Sequence, residues 1–211
     1  MAVHRMPPPV ADAAVDARRL ELLAAVARVI ARRGYAGTRF QDVAEEAGVA
    51  VGTLQHHFGT RRRMLLEAIG LWVDEIDRDA LRVADGTGSP WTRLHAVLAG
   101  MATRIGARET NWAMWIDFSS AAAKDPELRG AATRSLDRWR TALVDLVREG
   151  ERDGVLDPVM EAEAVAEVLM ALFDGIALQV FTADSDVSGA ELEARVLGTA
   201  RALLRPVDPR P

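Results

Sequence analysis

The sequence contains no cysteine. Disulfides, thiolate nucleophiles and cysteine-based zinc sites are therefore excluded. It has no uninterrupted apolar run of about 18 residues, so no segment reads as a membrane-spanning helix. The start, MAVHRMPPPV, lacks an apolar h-region and a small-residue cleavage signal. No segment alternates in period two for more than a few residues, so strands are not expected. There is no glycine-rich phosphate loop and no nucleophile with a base at useful spacing. Of the four histidines, His56 and His57 are adjacent and would point in different directions on a helix, while His4 and His95 are distant in sequence. The expectation from these absences is a cytoplasmic, non-enzymatic protein with no metal, no cofactor and no catalytic residues.

What is present is enough to build a core. The chain has 211 residues, is 49% hydrophobic, and carries five Trp and five Phe. One large domain, or a small one joined to a larger one, fits that length, and disorder of the whole chain does not. The net charge of −5 hides an asymmetry. Residues 1–65 hold ten Arg against six acids, a balance of +4, and the remainder carries −9. A basic end on an acidic body fits a local nucleic-acid footprint.

The three prolines near the start read as part of a flexible leader, residues 1–14. From Asp16, the spacing of Leu20, Leu23, Ala24, Ala27 and Ile30 predicts an amphipathic helix that stops at Gly34. Thr38 is placed to cap a short helix that ends near Glu46, and Gly48 breaks it. A second short helix follows, with Leu54 and Phe58 inward, and ends at Gly59 with Thr60 as the next cap. Two short helices around a glycine-containing turn form a helix-turn-helix pattern. A longer helix is predicted from Arg61 to about Val83. Further helices are predicted over 91–107, 110–123, 126–153, 161–182 and 188–204. The expected fold is all-α with about nine helices. Residues 15–62 hold the helix-turn-helix, 63–205 form a larger helical body, and 206–211 read as a flexible tail.

A helix-turn-helix lays its second helix in the major groove. Here that helix is roughly Ala50 to His57. Ala50 and Val51 offer methyl contacts to thymine, Thr53 a hydroxyl, and Gln55 a bidentate contact to adenine or a bond to phosphate. Gly52 permits close backbone approach. His56, His57 and Arg61 suit phosphate, and Thr38 and Arg39 place a hydroxyl and a guanidinium at the start of the preceding helix.

The segment Gly34 to Leu65 resembles the DNA-binding domain of the TetR family of transcriptional regulators. The resemblance is carried by Gly34, Tyr35, Thr38, Val43, Ala44, Ala47, Gly48, Val49, Gly52, Thr53, Leu54, His57, Phe58 and Thr60. It implies that Thr38, Ala50, Val51, Gly52, Thr53, Gln55, His56, His57 and Arg61 fall on positions used at operator DNA. Four positions depart from the family pattern. Ala50 stands where Ser or Thr is usual, Gln55 where Tyr is usual, Arg61 for Lys, and Arg62 for Glu.

The resemblance also implies a ligand-responsive repressor, binding double-stranded operator DNA as a homodimer and released when an effector shifts the fourth helix. The dimer would form through the helices near 161–182 and 188–204, where Gly175, Ala177, Gly198 and Ala200 allow close approach. The effector is expected to be a small apolar or amphipathic molecule. Candidate pocket residues are His95, Met101, Trp112, Met114, Trp115, Asp117, Phe118, Phe173 and Gln179, of which an inward Asp117 would favour a cationic or hydrogen-bonding ligand. The alternative is an all-helical small-molecule-binding protein or enzyme without regulated DNA binding.

Overall fold

The computed structural model describes residues 10–107, 110–183 and 187–207. Among these residues the fold is all-α. Nine helices follow one another: α1 (Val10–Gly37), α2 (Phe40–Ala47), α3 (Val51–Phe58), α4 (Arg61–Ala84), α5 (Pro90–Gly106), α6 (Thr110–Ala122), α7 (Pro126–Arg152), α8 (Ala162–Thr182) and α9 (Gly189–Leu204). The chain divides into two compact units, with the division between Trp72 and Val73 on α4.

In the first unit, α1 begins at Val10, inside the stretch expected to be a leader. Residues 1–9 lie outside the described residues. Gly34 adopts φ 72 and interrupts the helical path where the stop was expected. The buried face of α1 differs from the expected one. Leu22, Ala25, Val26 and Val29 are buried with Leu23 and Ile30, whereas Leu20 is 50% exposed and Ala24 lies at the surface. The short helices α2 and α3 cannot persist alone. They bury Val43, Ala44, Leu54 and Phe58, alongside Met64, Leu65 and Ala68 of α4. Gly48, at φ 63, ends α2 in the left-handed region, and its N–H bonds the Glu45 carbonyl.

In the second unit, three helix starts have short-range causes. Ser89 caps α5 ahead of Pro90, and Asp125 caps α7 ahead of Pro126. Ser188 and Glu191 form a reciprocal capping box on α9. The core joins Trp91, Leu94 and Leu98 of α5 to Leu146 and Val147 of α7, Leu169 and Phe173 of α8, and Val196 and Ala200 of α9. After α9, the Val207 N–H donates to the Val155 carbonyl at 3.0 Å. Residues 208–211 lie outside the described residues.

A buried carboxylate fixes the last turns of α4 to α7. Asp77 is 3% exposed and accepts from Ser135 Oγ at 3.2 Å and Trp139 Nε1 at 2.8 Å. Its other oxygen accepts from Arg138 Nε at 2.8 Å and Nη2 at 2.5 Å.

One helix departs from the membrane expectation. By length and a mean hydropathy of 1.8, α8 could cross a bilayer. No unbroken apolar run exists along it, because Glu163, Glu167 and Asp174 interrupt the helix.

Candidate functional site

The exposed surface of the first unit is built around α3. Its N-terminal residue Ala50 is extended, at φ −73 and ψ 148, and provides no side-chain cap. The first-turn N–H groups of α3 are thus left without the hydroxyl acceptor that Ser or Thr would supply. Ala50, Gly52, Gln55 and His56 are exposed, and Val51, Thr53 and His57 are half-buried. Leu54 and Phe58, both fully buried, pin the opposite face. The edge chosen from sequence is therefore the outward edge of α3. The rings of His56 and His57 meet edge to face at 5.7 Å.

The α2 start differs from the expectation. Thr38 is fully buried, and its hydroxyl donates to the Gly34 carbonyl at 2.8 Å. It is neither the cap nor an accessible DNA clamp, because that hydroxyl closes the end of α1. Arg39 is the residue before α2. Its side chain is exposed, and its N–H donates to Asp42 Oδ2 at 3.0 Å.

Arg61 bonds the backbone of its own unit. Its Nε donates to the Thr38 carbonyl at 2.5 Å, and its Nη2 to the carbonyls of Tyr35 and Ala36 at 2.6 and 3.0 Å. The guanidinium also lies 5.8 Å from the Tyr35 ring centroid. A cation on the last carbonyls of a helix satisfies acceptors that have no partner within it. Arg61 is a brace for the α1–α2 turn rather than a side chain reserved for phosphate.

Most of the arginine excess in this unit is consumed locally. Arg28 and Arg32 both bond Glu46, and Arg33 pairs with Asp42 at 3.3 Å. These guanidinium bonds, Arg28 first, hold the Glu46 carboxyl below the ordinary carboxylate range. Arg63 pairs with Glu67, which also holds Arg19. Arg19 additionally donates to the His57 carbonyl at 2.8 Å and lies over Phe58 at 4.8 Å. It fixes the C-terminal end of α3 against α1. The sequence reading missed it, because a helix surface arginine carries no local sign of a long-range bond.

The candidate pocket residues of the second unit divide into groups. Met101 on α5, Trp112 on α6 and Phe173 on α8 pack into one core. Met114 and Phe118 are buried on α6, and Asp117 is half-buried there. Trp115 is half-buried, and its Nε1 donates to Asp174 Oδ1 of α8 at 3.2 Å. Asp174 as a whole residue is exposed, yet protein atoms crowd its carboxyl enough that burial raises its pKa. The Trp115 bond pulls the other way. Two candidates fall elsewhere. His95 meets Trp91 edge to face at 5.8 Å, and burial, then Arg201 of α9, lowers its pKa. Gln179 is exposed, because Phe173, Ala177 and Val180 define the buried arc of α8. Asp174 was not among the candidates, although an acid between Phe173 and Gly175 in a mostly apolar helix is a readable signal. No group of three potential metal ligands occurs among the described residues.

Comparison with known proteins agrees with this geometry. Residues 22–68 match the family model described as bacterial regulatory proteins, tetR family. Residues 90–205 match the model described as BetI-type transcriptional repressor, C-terminal. The chain is 31% identical over 164 residues to the HTH-type transcriptional regulator BetI 1 of Chromohalobacter salexigens, covering 77% of this chain and 78% of that protein. It is 26% identical over 151 residues to the HTH-type transcriptional repressor KstR2 of Mycobacterium tuberculosis, covering 72% and 75%. Among solved structures, a transcriptional regulator from Saccharomonospora viridis in complex with choline superposes with a TM-score of 0.80 at 26% identity, covering 90% of this chain and 98% of that one.

Proposed function

Because the chain belongs to the TetR family of transcriptional regulators, with a BetI-type repressor C-terminal region, we propose that it docks α3 in the major groove of operator DNA. The regulator is dimeric, responds to a small-molecule effector and acts as a repressor. The observation that carries the docking is the exposed, uncapped edge of α3 over a fully buried Leu54 and Phe58. Ala50, Val51, Gly52, Thr53 and Gln55 would read base edges. His56, His57 and Arg39 would meet phosphate. Arg61 and Thr38 would act through the geometry they impose on the turn before α2.

The dimer is proposed to form on α8 and α9. Val168 and Leu178 are 40% and 48% exposed on the single chain. A Cβ added to Gly175 or Gly198 would meet nothing within 4 Å, so a second copy has room to approach there. Two copies related by a two-fold axis match paired half-sites in DNA. The choline held by the Saccharomonospora viridis relative supports a small cation as the effector, and the mixed aromatic and acidic side chains of α6 and α8 are compatible with one. Effector and operator are coupled if each prefers a different arrangement of the dimer, which takes only a few kcal/mol of differential affinity.

The test is fluorescence anisotropy of the purified dimer against duplexes tiling the DNA upstream of its own coding region, at several salt concentrations. The expected result is a salt-sensitive complex that survives excess unrelated DNA. Binding that the unrelated DNA removes completely would refute the proposal.

A further inference from the structure

The helix α3 has eight residues, and its seat on the first unit decides where its outward edge lies. Leu54 and Phe58 bury its inner side, but they stand four residues apart, on one line along the helix. Apolar burial is non-directional, so two contacts on one line leave the helix able to rock about that line. A directional bond at one end removes that freedom, and Arg19 of α1 supplies it. Its Nη1 donates to the His57 carbonyl at 2.8 Å, in the last turn of α3, where carbonyls lack donors within the helix. Its guanidinium carbon lies 4.8 Å from the Phe58 ring centroid. Its Nη2 bonds Glu67 of α4, and the other oxygen of Glu67 accepts from Arg63 Nε at 2.9 Å. One guanidinium of α1 thus joins the end of α3 to α4, and all of these residues belong to the first unit.

Arg19 differs from the arginine beside it. Arg18 is exposed and pairs at 2.7 Å with Glu21 on its own helix. The Arg19 side chain is 28% exposed, and its bonds reach α3 and α4. Both Nη groups are engaged inside the unit, so the residue is badly placed to serve a phosphate as well. The lever it controls is long enough to matter. Ala50 stands seven residues before His57. That is about 10 Å along the axis, so a tilt of about 6° moves Ala50 by about 1 Å. Hydrogen bonds to base edges weaken steeply over such a displacement. We infer that Arg19 is a positioning residue for operator recognition: it ties the last turn of α3 to Glu67 of α4, and so sets the angle at which Ala50 to Gln55 meet the bases. This rests on the reading that α3 enters the major groove.

The experiment uses the full-length dimer and fluorescence anisotropy over a range of salt. The probes are two duplexes of equal length, the upstream fragment that the wild type selects and a scrambled sequence. The variants are Arg19→Lys, Arg19→Ala and Glu67→Gln, each shown by circular dichroism to be folded at the assay temperature. Lysine keeps the charge but lacks the fork that serves the His57 carbonyl and Glu67 together. All three variants are expected to weaken operator binding by about tenfold or more, the worth of a base contact. The Arg19 variants should hold the scrambled duplex to within about twofold of wild type, with an unchanged salt slope, whereas each lost phosphate contact would lower that slope by about 0.9. Glu67→Gln separates the two accounts by sign. Removing an acid tightens every duplex if charge alone acts, and weakens the operator if Glu67 anchors Arg19. Arg19→Lys and Glu67→Gln decide the matter if Arg19→Ala does not fold. Operator affinity within about twofold of wild type in both overturns the inference. So does equal weakening on both duplexes with a lower slope, which makes Arg19 a phosphate ligand, or tightening of both by Glu67→Gln. A wild type that selects no upstream fragment refutes the operator reading itself, so the two failures are distinguishable.

Discussion

Asp77 provides the sharpest test of how the second unit is held together. Its carboxylate receives four hydrogen bonds from three residues of α7, two of them from one guanidinium. Replacing it with alanine would strand the Ser135 hydroxyl, which is 2% exposed, and the Trp139 indole N–H. It would also remove the buried half of an ion pair, a change that typically costs about 3–5 kcal/mol. Arg138 is partly exposed and keeps Asp74 at 2.9 Å, so solvent and a second acid offset some of that loss. The lower end, about 3 kcal/mol, is the reasoned value. At about 2–4 °C per kcal/mol for a chain of this size, the melting temperature should fall by about 6–12 °C. Asp77→Asn keeps an acceptor and loses the charge, so it should sit between. The assay is thermal unfolding by circular dichroism at fixed dimer concentration, since dissociation makes the midpoint concentration-dependent. A double-mutant cycle with Arg138→Ala should return a coupling of about 1–3 kcal/mol. A fall of less than about 2 °C for Asp77→Ala, together with coupling near zero, would refute the reasoning.

Other outcomes follow from single contacts. Arg61→Ala should destabilise the first unit by about 1.5–3 kcal/mol, because three carbonyls lose a charged donor. Gln55→Ala should leave the melting curve unchanged and weaken operator binding by about 1–3 kcal/mol in anisotropy, and the opposite pattern in the two variants would contradict their assigned roles. Gly106→Ala would drive a methyl into the backbone of Gly189, whose nitrogen would be 2.9 Å away. A melting temperature equal to wild type would show that α5 and α9 do not need that close approach. Leu178→Asp places a charge on the proposed dimer face and should yield monomers in sedimentation velocity, while an intact dimer would move the interface elsewhere. Glu46 has a folded pKa below its unfolded value, so its contribution is present above the unfolded value and is lost as pH falls through the folded one. Acid unfolding followed by circular dichroism should therefore be shallower in Glu46→Gln, and superimposable curves would count against the Arg28–Glu46–Arg32 cluster as its source.

Much of the fold was legible because its signals are short-range. Ser89 with Pro90, Asp125 with Pro126, and Ser188 with Glu191 mark helix starts within four residues of chain. The outward edge of α3 was legible for the same reason, since Leu54 and Phe58 fix its inner side. The face of α1 was not. That helix is dense in Ala, Leu and Val, so more than one apolar arc fits the period, and tertiary packing selected the arc through Leu22 and Val26 over the one through Leu20 and Ala24. Arg61 and its neighbours show a different limit. Charge is read from composition, but its destination is set by neighbours distant in sequence. Arg61 reaches Tyr35, Ala36 and Thr38, and Arg63 reaches a Glu67 already shared with Arg19. Thr38 was misread likewise, because its conspicuous hydroxyl serves the chain itself.

The composition of α8 indicates which surroundings it needs. Its mean hydropathy of 1.8 meets the test for a membrane span, yet only 33% of the apolar window is buried in the single chain. Lipid and protein make different demands on the remainder. A helix in hydrocarbon would have to desolvate Glu167 and Asp174, and acids within a span are costly. On α8 these acids lie on a flank, where Glu167 faces Arg140 and Asp174 meets Trp115. The exposed Val168 and the small Gly175 lie on a separate arc, and the exposed Leu178 sits at the edge of the flank, one turn beyond Asp174. Such a division, with acids turned toward neighbouring helices and a strip of apolar and small residues turned outward, suits a second protein surface that covers the strip and leaves the flank intact. The apolar residues that α8 leaves exposed therefore measure what one chain cannot bury by itself, and acids that face neighbouring helices favour a partner helix over a bilayer as the means of covering them.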